Sequence, residues 1–558
     1  MPTSARTSGR HISRQLDKLQ ENLRTAHFFK DQSRETRPAT KCCPASTWKA
    51  PPAPTDKFIE LMKRDLEGYR PVESTSNISW MDRKARQWIS RNRDRYKIID
   101  CDKNLGDAIA TTDWIDTQCK KQLSQGFHIK ANFTDFIREQ KEIYTDLVNI
   151  GLNRDYIHHR VQKYLLENMN GKASGTFRIN AKIHKEPPSS RPICNMCRTW
   201  LEPACIWLCE ILNPIAKKLP TVIHSSDELQ QKINNLVIPD GFHVKTLDIV
   251  NLYPQVPRKH MLSKIRPKIA AHFFDPNKTS WIMRILDLVL NACTIEFDGE
   301  NYTSEDGIPT GIAVGVILAN IYMSTYDDEL MTDHTDSILE YARYVDDAFI
   351  VTKLQNETLF QHLHKFHIKI RWELTADSAD NSDPIPYLDL ELKHNKELGI
   401  LTYEMYRKPM NIYLYLPFDS DHHPSVFRSL IRGELHRINR RCQTEAAQRN
   451  HREFFRERLR ERGYPHSFFD NICKSFDSDT GTNFVTGEKP EVFFLKLRYD
   501  RSINRGWLRR HLVRHQHVLS RTLSRPAAIR TAWGSNPNFF RRNYNATWRA
   551  RPPAREGG

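Results

Sequence analysis

The stretch that decides the fold is Glu340–Lys353, EYARYVDDAFIVTK. Tyr344, Val345, Phe349, Ile350 and Val351 are strand formers, yet Asp346 and Asp347 sit side by side among them. Burying two unpaired carboxylates in such a run is costly, so either the pair lies in a solvated turn or a divalent metal neutralises it. A second strand-like segment, HVKTLDIVNLYPQVP (residues 243–257), carries a single acid, Asp248, with Tyr253 five residues further on. One Asp on a strand beside a hairpin bearing Asp-Asp makes a site for two cations ~3.5–4 Å apart, the spacing that clamps the attacking and leaving oxygens of a phosphoryl transfer. Oxygen ligands with open water positions suit Mg²⁺, with Mn²⁺ as the alternative ion. On its own, an acidic hairpin is a common feature.

The segment between the two acids adds weight. DGIPTGIAVGVILANIYMSTYDDEL (residues 306–330) opens with a glycine turn and runs into a helix, with Gly307, Gly311 and Gly315 recurring every four residues. Such a spacing leaves a face without side chains. Either a base pair or sugar packs against it, or a neighbouring element does.

The chain has 558 residues, 39% of them hydrophobic and 10% aromatic, enough for one large core or two to three smaller ones. Lys and Arg number 84 against 67 Asp and Glu, a net charge of +17 that favours a polyanionic partner. No apolar run reaches the ~18 residues of a membrane span, and the first residues lack the apolar core of a secretory signal. Eleven cysteines then read as free thiols in a reducing compartment. Cys194, Cys197, Cys205 and Cys209 have a superficial zinc spacing, but Cys205 and Cys209 fall in an amphipathic helical pattern with Trp207 and Leu208, and small buried hydrophobes are the better reading.

Residues 1–55 read as a disordered basic arm and Pro-rich linker. Helices and strands alternate from there to about residue 400. Beyond residue 420 the pattern is helical and Arg-rich, with Val426, Leu430, Leu435 and Ile438 as an apolar stripe. The last 58 residues carry thirteen Arg, no Lys and one acid, Glu556, interleaved with aromatic residues, a composition suited to single-strand or hybrid binding.

Taken in order, these segments resemble a known family. Asp248 with Tyr253, the GIPTGIAVGVILAN helix and Tyr344-Val345-Asp346-Asp347 resemble motifs A, B and C of reverse transcriptases, and more narrowly those of Penelope-like retroelements, relatives of telomerase. INAKIHKEPPSSRPI (179–193), DPIPYLDLEL (383–392), MYRKPMNIYLYLPFDSDHHP (405–424) and IIDCDKNLGDAIA (98–110) resemble further blocks of the same family, so the likeness covers roughly residues 90 to 545. The chain departs from the family at Thr310 and Gly315-Val316, where Met and Ala-Pro are usual, and at Asn104, where a glycine is usual.

The resemblance implies an α+β right-hand polymerase: N-terminal helices and fingers over 56–235, an antiparallel-sheet palm over 236–405, a primer-grip and helical Arg-rich thumb over 406–545, and a disordered tail over 546–558. It implies an RNA-directed DNA polymerase, with a catalytically inactive or host-retained nucleic-acid-binding protein as the alternative. Asp248, Asp346 and Asp347 would be the catalytic metal ligands for two Mg²⁺ ions. Tyr253, Lys103, Lys182, Lys185 and Arg191 would meet the incoming nucleotide, and Gly311, Tyr344, Tyr406, Arg407 and Lys408 the template and primer. His422 and His423 read as a cap or primer-grip contact. The implied partners are an RNA template, a DNA primer and dNTPs, with no membrane, in the nucleus or otherwise the cytoplasm. No GIY-YIG endonuclease motif follows the polymerase blocks, so the primer 3′-hydroxyl is expected to be made elsewhere.

Overall fold

A computed structural model of the chain describes residues 9–30, 42–44, 48–74, 77–380, 384–478, 491–523 and 527–535. Its centre is a four-stranded antiparallel sheet in the order Trp372–Asp377, His243–Ile249, Asp347–Thr352, Ile338–Tyr344. The alternation of the strands sorts their side chains onto two faces. Leu247, Ile249, Ala348 and Ile350 enter the main core, which the helices Glu202–Ala216, Arg258–Phe273, Pro276–Asn291 and Gly315–Asp333 supply. Val244, Phe349 and Val351 enter a smaller core with Tyr387, Leu390 and Leu392 from a three-stranded sheet (Ile385–Tyr387, Leu390–Asn395, Ile400–Met405). This is the palm.

Ahead of it lie the fingers. The hairpin Gly175–Lys182/Ser189–Asn195 is paired from Thr176↔Asn195 to Lys182↔Ser189 and forms one edge of a five-stranded sheet. A second hairpin, Tyr96–Asp100/Asp107–Thr111, joins it through a bridge between Cys101 and Ala181. After the palm, the helices Pro424–Arg441, Glu445–Glu461 and His466–Ser478 pack through Phe427, Ile431, Leu435, Ile438, Phe455, Leu459, Phe469 and Phe476. Of the expected stripe Leu435 and Ile438 are buried and Leu430 packs partly against this core, while Phe427 and Ile431 are buried beside them and Val426 is not part of it.

The expected arm and thumb boundaries need correction. Residues Gly9–Phe28 form a helix whose Ile12, Leu16, Leu19 and Leu23 are buried. They pack with Phe58, Ile59 and Met62 of the helix Asp56–Leu66 and with Leu495, Leu497, Leu508, Leu512 and Leu519 near the other end of the chain. There, Glu491–Arg498 and Ala527–Gly534 pair in parallel around the helix Arg505–Thr522. A bidentate Arg24–Asp56 pair (2.7 and 2.8 Å) joins the two N-terminal helices, and His515 Nε2 lies 2.7 Å from Asp65 across to the C-terminal unit. The two ends thus form one module with its own core, because neither apolar stripe could be buried alone. Residues 1–8 and the tail over 546–558 lie outside the described residues. Among the described residues, no helix is long and apolar enough to cross a membrane.

Candidate active site

Asp347 opens its strand directly opposite Asp248 of the neighbouring strand and opposite Tyr344 of its own hairpin. Opposed residues of an antiparallel pair share a face, with Cβ atoms roughly 4.5–5.5 Å apart, so the two carboxylates project side by side. Asp346 occupies the two-residue turn with Val345, and its carbonyl accepts the Ile249 N–H at 3.0 Å, which fixes the turn beside Asp248. The three acids expected to converge do so.

The turn is strained and clamped. Val345 has φ 59°, a left-handed conformation costly for a β-branched side chain. Arg343 Nη1 donates to the Val345 carbonyl at 2.8 Å, and the single Tyr387 O–H is shared between the Asp347 carbonyl at 3.0 Å and the Ala342 carbonyl at 3.2 Å. Arg343 is itself fully buried in an ion pair with Asp327 (2.8 Å), whose carboxylate also accepts Tyr341 Oη (2.9 Å) and Thr221 Oγ1 (2.8 Å).

Among the described residues none of the three aspartates forms an ion pair; Asp346 is eased only by its own backbone N–H and the more distant Arg191 and Arg343, and Asp347 by Lys408. Burial, then Asp346 and Asp248, push the Asp347 carboxyl up to about 6. Burial, then Asp346 and Glu373, raise Asp248. Burial also raises Asp346, against the opposing pull of Arg191 and Arg343. Among the described residues no group of three or more His, Cys, Asp or Glu side chains stands close enough to hold a metal ion by itself. Mg²⁺ needs none: it binds through one or two carboxylates and completes its shell with water and substrate phosphates. Mutually repelling, unpaired carboxylates are the donor set that a divalent cation fits.

Tyr253 sits at the entrance of the motif-B helix. Its ring edge would lie 3.6 Å from a Cβ placed on Gly315, and the Ile308 N–H binds its carbonyl at 2.8 Å. Burial, then the charge of Asp346, push its hydroxyl up to about 12. The helix begins at Gly315, so Gly307 and Gly311 belong to the preceding loop. Both have positive φ, and a Cβ at Gly311 would fall 1.9 Å from the Cys194 carbonyl. Close backbone approach between palm and fingers accounts for this glycine.

On the fingers, Lys182, Lys185, Lys103 and Arg191 converge around Asp102. Burial and the neighbouring Arg191 lower the Lys182 ammonium, with Asp102 opposing. Arg191 Nη1 stands 3.3 Å from the buried Asp102 carboxylate and is also an electrostatic neighbour of Asp346, so it links the cation cluster to the triad. On the opposite side, Lys408 is a favourable neighbour of Asp347. Arg407 donates to His451 Nδ1 at 2.9 Å and lies 4.2 Å over the Phe454 ring, while the Tyr406 N–H binds the Asp389 carbonyl at 3.0 Å. Tyr344 closes the hairpin, 38% exposed. His423 caps the first thumb helix through Ser425 and stacks on Trp533 at 5.1 Å, so it is a cap and a joint to the terminal module. Sequence reasoning missed Arg343, Asp327, Tyr387, Asp102 and Glu373; Glu373 lies directly opposite Asp248 on its other side.

Fold and site together define a right-hand polymerase. Residues 183–375 match the family model for reverse transcriptase (RNA-dependent DNA polymerase), and residues 414–474 that for the animal helix-turn-helix domain. The chain therefore carries a reverse transcriptase domain, the RNA-directed DNA polymerase class of nucleotidyltransferase, and all three aspartates fall within it. Solved structures similar to this chain include telomerase from Candida albicans in complex with a TWJ fragment of telomeric RNA. That likeness is 11% identical, covers 80% of this chain and 72% of that one, and has a TM-score of 0.44. Apo telomerase from Candida tropicalis is likewise 11% identical, over 93% of each chain, with a TM-score of 0.39. No curated protein matches.

Proposed function

We propose that the protein extends a DNA 3′-hydroxyl on an RNA template by metal-assisted nucleotidyl transfer, as the enzyme of a Penelope-like retroelement. The observation that carries this reading is that Asp248 stands opposite Asp347 across a clamped turn that holds Asp346, and that burial raises all three carboxyls. These three side chains would hold divalent metal, which when bound supplies charge stabilisation at the attacking and departing oxygens. The chain's own contribution is positional. Arg191, Lys182, Lys185 and Lys103 offer cations to a triphosphate; Tyr253 presents its ring where a ribose 2′-hydroxyl would meet it; Arg407 and Lys408 offer cations to the primer backbone.

The test is primer extension on a homopolymeric RNA template with Mg²⁺ or Mn²⁺. Wild type should incorporate dNTPs, and Asp346→Ala/Asp347→Ala should not, while both bind template equally. Synthesis by the double variant would refute the assignment. Hybrid binding without incorporation by wild type, with either ion, would leave the nucleic-acid-binding alternative.

A further inference from the structure

The helix Trp80–Arg91 buries little of itself. Of its twelve residues only Ile89 is buried, whereas Trp80 is 62%, Met81 70% and Trp88 50% exposed. Large apolar side chains grouped in water mark an interaction surface. The helix owes its start to a capping box instead: Ser79 Oγ accepts the Asp82 N–H at 3.1 Å, and the Asp82 carboxylate accepts the Ser79 N–H at 2.8 Å. That uses the helix's one acid. Its other charges, Arg83, Lys84, Arg86 and Arg91, are all cationic, and Arg93 and Arg95 follow at once with the single acid Asp94.

Trp80, Lys84, Trp88 and Arg91 recur at i, i+4, i+8 and i+11 and so lie along one face. Lys84 Nζ sits 4.0 Å over the Trp80 ring. Trp88 rests against Tyr96 (5.5 Å, 31°), and the Arg95 guanidinium lies 6.0 Å over Tyr96. The face is a row of aromatic plates with cations between them, the two indoles about 12 Å apart along the axis.

We propose that this face binds unpaired polynucleotide: the single-stranded template ahead of the fingers, with bases on Trp80 and Trp88 and phosphates at Lys84 and Arg91. Its identity as template rests on the polymerase reading above. Every base has a π-face, but a duplex hides those faces in its own stack, so exposed indoles favour single strands, and interleaved cations favour a phosphate chain over a neutral partner. The location fits. Four residues after the helix comes the strand Tyr96–Asp100, roughly 17 Å long, and the turn Asp102–Asn104 just past it carries Asp102 and Lys103 of the cation cluster.

The experiment compares the full chain's affinity for a blunt RNA–DNA hybrid and for the same hybrid with a 5′ RNA extension of about ten nucleotides, by fluorescence anisotropy; a strand that long covers one such binding site. Wild type should prefer the extended hybrid. Trp80→Ala and Trp88→Ala should each reduce that preference about five- to tenfold, the low end of what base–aromatic stacking is worth, and Trp→Phe at either position should restore most of it. The ratio between the two ligands is the readout, so a general loss of folded protein does not mimic the effect. An undiminished ratio in the Trp80→Ala/Trp88→Ala variant overturns the proposal. So does a fall in sedimenting mass on substitution, which would make the face a contact between copies. No nucleotide incorporation is needed, so a wild type that keeps the preference but fails to polymerise would sink the polymerase reading and leave the single-strand site standing.

Discussion

Asp347→Asn should make the protein more stable while disabling it. Burial, Asp346 and Asp248 raise the Asp347 carboxyl from 3.8 to about 6. An acid raised by folding is charged at a cost in the native state above its folded pKa, and that cost vanishes below its unfolded pKa, where both states are protonated. Roughly two pH units at ~1.36 kcal/mol each give about 3 kcal/mol, and solvent reaching the hairpin screens this to about 1–2 kcal/mol. In chelator at pH 7 the Asn variant, equal in shape and lacking the charge, should therefore unfold in urea with about 1–2 kcal/mol more stability than wild type. That advantage should shrink as pH falls from 6 towards 4. Millimolar Mg²⁺ should close the gap from the other direction, because an ion bound by the native triad stabilises wild type more than the variant. A variant no more stable than wild type in chelator at pH 7, or a gap that widens towards acid, would refute the electrostatic account of the site.

Arg343→Met should cost about 3–5 kcal/mol in urea unfolding, because Asp327 is left charged and fully buried; adding Asp327→Leu should return a large part of that loss, and no recovery would count against the buried pair. If Tyr253, whose ring lies beside Gly315, has the proposed role of meeting the ribose 2′-hydroxyl, Tyr253→Ala should admit ribonucleotides into the product, read as alkali-labile DNA; unchanged sugar discrimination removes the gate role.

Much of the site was legible because its chemistry conflicts with its surroundings. Two carboxylates inside a strand pattern demand an explanation, and Asp248 in a second such strand supplies a partner. The register that sets Asp248 opposite Asp347 was not legible, because it depends on pairing residues about a hundred positions apart. Nor was Arg343. In sequence it is one more strand residue beside Tyr344, and only its burial against Asp327 reveals a clamp. The N-terminal helix hid for the opposite reason. Ile12, Leu16, Leu19 and Leu23 keep a helical period, but their basic, polar setting reads as a tail until the partner strand, some 470 residues later, covers the stripe.

The segment DPIPYLDLEL shows how a string recognised only by resemblance acquires a physical reason. Its Tyr387 is one of the three residues that hold the Val345–Asp346 turn, through the carbonyls of Asp347 and Ala342. Two residues on, Asp389 accepts Arg441 Nε at 3.1 Å and lies 3.5 Å from Arg437 Nε, both on the first thumb helix, and it also accepts Ser226 from the fingers side. Leu388 between them has φ 54°, which turns the backbone so that the two side chains serve different partners. One short strand end therefore fixes the strained hairpin and anchors the thumb. The strain at Val345 is of order 1–3 kcal/mol, and hydrogen bonds from Arg343, Tyr387 and Ile249, each worth about 1 kcal/mol net, can offset it. Without that frame the aspartates would relax apart and lose the burial and the repulsion that raise Asp347. With it they stay close and buried, and a cation bound between them would lower their energy at neutral pH.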